Sequence, residues 1–136
     1  MAILMRLAAA YLVLVAVAVA VNFIITPLYH PGGDAPFPVW EALNWFMAVG
    51  MVITVAAAYL EKRSADGDDD ASLKRYLETN TVFYVAVAVL IAFLWNWFSH
   101  LDPDNVPDGQ LWIVIDTMMP IVMGVAGCRL WRNAGS

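Results

Sequence analysis

Few side chains in this sequence could do chemistry, and most of them stand at the edges of long apolar stretches. Asp116 is the exception, five residues inside the apolar run that begins at Leu111. An ionisable group at that depth costs about 2.5–3.5 kcal/mol on insertion scales unless it is paired or near water. Glu41 and Asn44 stand one turn apart on a shared helical face, and Asn96 lies near the end of another run. Two short Pro- and Asp-rich stretches hold His30, Asp34, His100, Asp102, Asp104 and Asp108. Two histidines with a carboxylate suit copper, iron or zinc, so His30, His100 and Asp116 form a candidate metal set. The plainer reading makes the histidines helix-ending residues, the aspartates turn and cap residues, and Asp116 a group paired inside a bundle. Spacing alone does not choose between these readings.

Other motifs are weaker. The run from Asp102 to Gly109 (DPDNVPDG) has the composition of a calcium loop, but it breaks the EF-hand register and lacks the closing Glu. Met47, Met51, Met118, Met119 and Met123 have the softness copper prefers, yet methionine is an ordinary filler of irregular packing, which is the reading we favour. Gly50, Gly124 and Gly127 are expected to let helices approach closely. Cys128 is the only cysteine, so neither an internal disulfide nor a Cys-based zinc site can form, and it reads as a small packing residue. No catalytic residue can be assigned, since the sequence has no Gly-rich phosphate loop and no Ser/His/Asp arrangement that can be placed.

The elements that must position these residues are membrane spans. Of the 136 residues 62% are apolar and 14% charged, against about 45–50% and about 25% in soluble domains. The excess falls in four blocks, which predicts one all-α transmembrane domain over 1–136, a four-helix bundle with helices at about 7–28, 39–60, 81–98 and 111–130. The first block continues through Ile25, too long for a signal-peptide core, and is expected to be retained. Residues 61–77 form a charged linker. Its SADGDDDAS stretch reads as a solvated hinge, and Leu73–Glu78 as a helical lead-in at the membrane surface.

Charge sets the expected orientation. All seven basic residues (Arg6, Lys62, Arg63, Lys74, Arg75, Arg129 and Arg132) fall on one side. The positive-inside rule then predicts a multi-pass protein of the cytoplasmic (inner) membrane, with both termini and the 61–77 linker in the cytoplasm. Trp40, Trp45, Trp95, Trp97 and Trp112 lie toward the other end as a lopsided aromatic belt. Lys74 and Arg75 are expected to anchor at headgroups. The net charge of −5 argues against nucleic acid as a partner.

The chain also repeats itself. A shift of 70 matches Val15–Val19 with Val85–Val89, Phe23 with Phe93 and His30 with His100. A shift of 72 matches Trp40 with Trp112, Met47 with Met119 and Met51 with Met123, and sets Asn44 opposite Asp116. Two hairpins of the same orientation would form a parallel repeat.

From Leu60 to about Met123 the layout resembles the membrane-spanning subunits of the copper membrane monooxygenases, which oxidise methane, ammonia or short hydrocarbons. A helix ends in LEKR, an acidic linker follows, and LKRYLETNTVFYVAVAV starts the next helix; FLWNWFSH then leads through an acidic loop to DGQLWIVIDTMMP. In that family a comparable stretch carries an Asp followed by metal-binding histidines. Asp116 fits the first position, but Pro120 stands where a histidine is expected and no histidine follows Asp116. The resemblance therefore implies a chain that has lost the metal site, or an accessory subunit with copper elsewhere in the complex.

These readings converge on a small non-catalytic subunit that packs against larger integral membrane subunits, in contact with the lipid bilayer and with bound lipid. The outer tryptophans are the expected subunit interface, since Trp is favoured at buried anchors. Two rivals remain: a metal- or redox-active membrane enzyme using His30, His100 and Asp116, and a small proton-coupled transporter in which Asp116 and Glu41 titrate.

Overall fold

Lipid offers the peptide backbone no hydrogen-bond partner, so each apolar run must satisfy its own backbone, and a helix does so. In the computed structural model, which describes residues 1–33 and 35–136, the four runs are α1 (Ala2–Tyr29), α2 (Pro38–Asp66), α3 (Leu73–Leu101) and α4 (Gly109–Ala134). Asp34, one of the loop carboxylates singled out above, lies outside the described residues. Every helix is long and apolar enough to cross a membrane. At 1.5 Å per residue they measure about 39–44 Å, against a hydrocarbon layer of ~30 Å. The chain is a multi-pass, all-α four-helix bundle.

The helices overrun the expected limits, most of all near the linker. α2 continues to Asp66 and α3 starts at Leu73, so the surface lead-in and the third span are one helix. Hydropathy ends a span where charge begins, whereas a helix ends where its backbone loses partners. Here the polar turns are supported. Ser72 caps α3 by accepting from the Arg75 N–H at 3.1 Å, and Lys62–Asp66 and Lys74–Glu78 pair one turn apart. The connection shrinks to 67–72 and is tied down. Asn80 donates to Asp66, while the Arg75 guanidinium reaches both Asp68 and Ser64. Arg75 thus holds the linker. At the opposite end Gly32 and Gly33 take positive φ (87° and 63°) in the α1–α2 turn, a conformation that excludes most other residues.

Consecutive helices run antiparallel, as do α1 and α4. Arg6 at the start of α1 lies over the ring of Trp131 near the end of α4, and Tyr59 of α2 meets Phe83 of α3. Both termini and the 67–72 connection therefore share a basic end, and the loops after α1 and α3 share a Trp-rich end. α1 packs chiefly on α4 and α2 chiefly on α3; α2 also touches α4, while α1 and α3 do not meet among the described residues. Exchanging hairpin α1–α2 with hairpin α3–α4 maps this pattern onto itself. Burial follows the same exchange: Ala16 and Ala86, Val19 and Val89, Met47 and Met119, Met51 and Met123, and Thr54 and Ala126 are all buried. The matched methionines fill the core around Phe93 and Leu12.

The three glycines expected at close approaches separate. A Cβ on Gly127 would lie 2.9 Å from Val13 Cγ2 and 3.1 Å from the Ala9 carbonyl oxygen, and one on Gly50 would lie 3.0 Å from Met123 Cε. A Cβ on Gly124 would meet nothing within 4 Å among the described residues, so no close helix approach inside the bundle depends on that glycine.

Candidate functional site

The Trp-rich end collects most of the side chains singled out from the sequence. His30 closes α1 and is absorbed by its own loop. Its ring stacks on Phe37 (centroids 3.8 Å apart, 3° between planes), Nε2 donates to the Ala35 carbonyl at 3.0 Å, and Nδ1 accepts from the Gly32 N–H at 3.0 Å. Both ring nitrogens are engaged locally. His100, near the end of α3, stands 4.0 Å from Glu41 at the start of α2, beyond hydrogen-bond reach. With Trp45, Trp97 and Leu101 these two line a cleft of ≈ 340 Å³.

The loop aspartates shape the turn into α4. Asp102 accepts from the Asp104 N–H and from the Asn105 side chain, and Asp108 caps α4 by accepting from the N–H groups of Gln110 and Leu111. Asn96 explains itself here. Its side-chain amide donates to the Asp108 carbonyl at 3.0 Å and accepts from the Asp108 N–H at 2.8 Å, a two-point clamp on the backbone entering α4. At the matched position in the first hairpin, Thr26 accepts from the Trp40 indole N–H at 3.0 Å. The two halves use one position for one purpose: tying the end of a helix to the start of the next.

The tryptophans divide. Trp97 is 4% exposed and packs on Phe93 inside the bundle, so it belongs to the chain's own core. Trp40 and Trp112 are half-buried against that core. Trp45 and Trp95, 63% and 61% exposed, are the surface part of the set, and Trp45 stands edge-on to Trp97 at 4.8 Å.

No family model, no curated protein and no solved structure matches this chain. Its chemistry must be read from the side chains alone. Among the described residues no three His, Cys, Asp or Glu side chains are grouped to hold a metal ion, so His30, His100 and Asp116 are not brought together as a ligand set.

Asp116 lies seven residues into α4, about 10 Å along the helix. It is 7% exposed, and its Oδ1 has no hydrogen-bond partner among the described residues. Asn44, its counterpart on α2, is buried too. Of the four polar groups read as intramembrane from the sequence, Asn44, Asn96 and Asp116 are buried, whereas Glu41 is more than half exposed and stands at the surface beside His100.

A second polar cluster, at the basic end, escaped sequence reading. Arg129 of α4 donates to Glu61 of α2 at 3.0 Å and to Glu78 of α3 at 3.4 Å; Asn133 also donates to Glu61, at 3.0 Å. The Arg129 side chain is mostly buried, so it works as a three-helix tie as well as a basic residue of the terminus. The signal was charge of both signs at the ends of three different helices, which position along the chain does not bring together. Beside it Pro120, Gly124, Cys128 and Arg132 line an open groove, and Cys128 is exposed there, not packed as expected.

Proposed function

We propose that the chain is a small non-catalytic subunit of a larger membrane complex, and that it docks on larger integral membrane subunits through the Trp-rich end of α2 and α3. The observation that carries this reading is the surface there: Trp45 is exposed beside the Glu41–His100 pair and its cleft, and Trp95 is exposed on another face of α3. Large aromatic side chains next to polar groups at a bundle surface are the composition of interface anchors. The chain itself buries only 28–39% of each spanning window, leaving broad apolar faces for lipid or neighbouring helices. We place the basic end in the cytoplasm of a cell with an inner membrane, because all seven Lys and Arg residues gather there.

The test is purification of the tagged full chain in mild detergent, from its own cells. Larger membrane proteins should come down in fixed ratio, and the Trp45→Ala, Trp95→Ala double variant should lose them while keeping its own stability. A chain that purifies alone, or whose partners ignore both substitutions, would refute the proposal. The layout shared with copper membrane monooxygenase subunits names the assembly to look for first, and copper content of the purified complex is its check. A protease-sensitive tag on either terminus should be cut only after cells are opened.

A further inference from the structure

Two buried side-chain atoms lack a hydrogen-bond partner among the described residues: Nδ2 of Asn22 and Oδ1 of Asp116. Both residues are 7% exposed. They lie on α1 and α4, the most closely packed pair of helices. Arg6 over Trp131, and Ala9–Val13 against Gly127, fix the antiparallel register of that pair. Continued along both helices, the same register brings Asn22 level with Asp116. Asp116 also shares the face of Gly127, since an offset of 11 residues makes about three turns. Pro120 has no N–H to give, so the Asp116 carbonyl lacks its usual partner one turn on.

We propose that Asn22 and Asp116 form one buried site for a bound water molecule, reached from the Trp-rich surface. The unsatisfied groups are one donor, the Asn22 amide N–H, and two acceptors, the Asp116 carboxyl and carbonyl oxygens. A water molecule both donates and accepts, and buried waters typically make about three hydrogen bonds. A bare cation fits badly, because the amide N–H would point its positive end at it. The route is polar. Tyr29, about half exposed at the end of α1, donates its hydroxyl to Asn22 Oδ1 at 2.7 Å, and Trp40 donates to Thr26, whose hydroxyl in turn donates to the Asn22 carbonyl. The exchange of hairpins supplies a control within the molecule. It carries Asn22 to Ala92 and Asp116 to Asn44, so the second half has no equivalent pair. Met119 and Met47 then sit three residues after Asp116 and Asn44, both fully buried, one beside the site and one beside its blank counterpart.

X-ray radiolysis of the full chain in detergent, in ¹⁸O-labelled water, reads bound water through oxidation of adjacent side chains. Met119 should label several-fold faster than Met47, and Asn22→Leu should bring it down to the Met47 rate. Equal labelling of the two methionines in the unaltered protein overturns the site, and this arm needs no variant to fold. A thermal cycle adds a second arm. Asn22→Leu and Asp116→Leu should each lower the melting temperature by several degrees, and the double variant should recover much of the loss because no orphaned group remains. Strictly additive losses overturn the shared site. A melting temperature that depends on sodium against choline, and ceases to do so in Asp116→Asn, would replace water by a cation.

Discussion

Gly127→Ala tests the α1–α4 contact on which the bundle depends, and Gly124→Ala is its matched control. The added methyl group at position 127 would meet Val13 Cγ2 at 2.9 Å, the Ala9 carbonyl oxygen at 3.1 Å and Leu12 Cβ at 3.2 Å. The Val13 methyl can turn aside. The backbone oxygen and the Leu12 Cβ move only if α1 moves, and α1 makes its main contact along this helix. Overpacking of this kind costs about 1–3 kcal/mol. Replacing a helical glycine by alanine returns about 1 kcal/mol of propensity at either position. One turn away, Gly124 offers the new methyl open space, with nothing within 4 Å. The propensity gain is common to both variants, so their difference isolates the clash, and Gly127→Ala should unfold about 1–3 kcal/mol more easily than Gly124→Ala. Reversible unfolding in mixed detergent and SDS micelles, followed by far-ultraviolet circular dichroism, measures it. If the two variants agree within about 0.5 kcal/mol, the ordinary scatter of neutral substitutions, α1 and α4 are not in close contact at Gly127.

Arg129→Ala should cost about 1–3 kcal/mol in the same assay, between the values for surface and buried pairs, because it strands Glu61 and Glu78 at a partly buried junction. Arg129→Lys should recover only part of this, since one ammonium group cannot reproduce the planar fork that reaches both carboxylates. Asn96→Ala should lose about 1–3 kcal/mol by leaving both backbone groups of Asp108 unpaired, and hydrogen exchange should rise at the start of α4. Asp108→Ala should cost about 1 kcal/mol as a lost helix cap. Trp45→Ala with Trp95→Ala should leave the unfolding midpoint of the isolated chain nearly unchanged, because both rings project from its surface.

The number of spans, their positions in the chain and the helical class were legible because lipid imposes one rule on every residue of a span, and that rule survives in composition. The ends were not, since a helix past the membrane surface is held by individual polar contacts such as Ser72 with Arg75 or Lys62 with Asp66. Depth along a helix was legible and direction around it was not. Asp116 stood out as too deep for a loop residue, but nothing in its spacing shows that Asn22 shares its level, because that follows from the register of α1 on α4. Trp97 illustrates the same gap. It shares a sequence neighbourhood with Trp95, yet one ring is core and the other surface, two residues apart on a helix that turns about 100° per residue.

The repeat is what makes the polar residues interpretable. Two hairpins related by an exchange that preserves every helix contact form a frame in which matched positions have matched surroundings. Where the halves agree in character, as in the Met47/Met119 and Met51/Met123 pairs, the residues are explained by packing. Where they differ in type but serve one end, as Thr26 and Asn96 do, the demand is architectural: each ties a helix end to the next helix start. Asn22 and Asp116 satisfy neither description. Their counterparts, Ala92 and Asn44, show that the frame needs neither a second amide on the first helix of a hairpin nor a carboxyl group on the second. Both departures lie on the same pair of helices, and they leave one side-chain donor and one side-chain acceptor without partners among the described residues. Two unrelated accidents of packing would have no reason to be complementary, whereas one site that takes up water would require it.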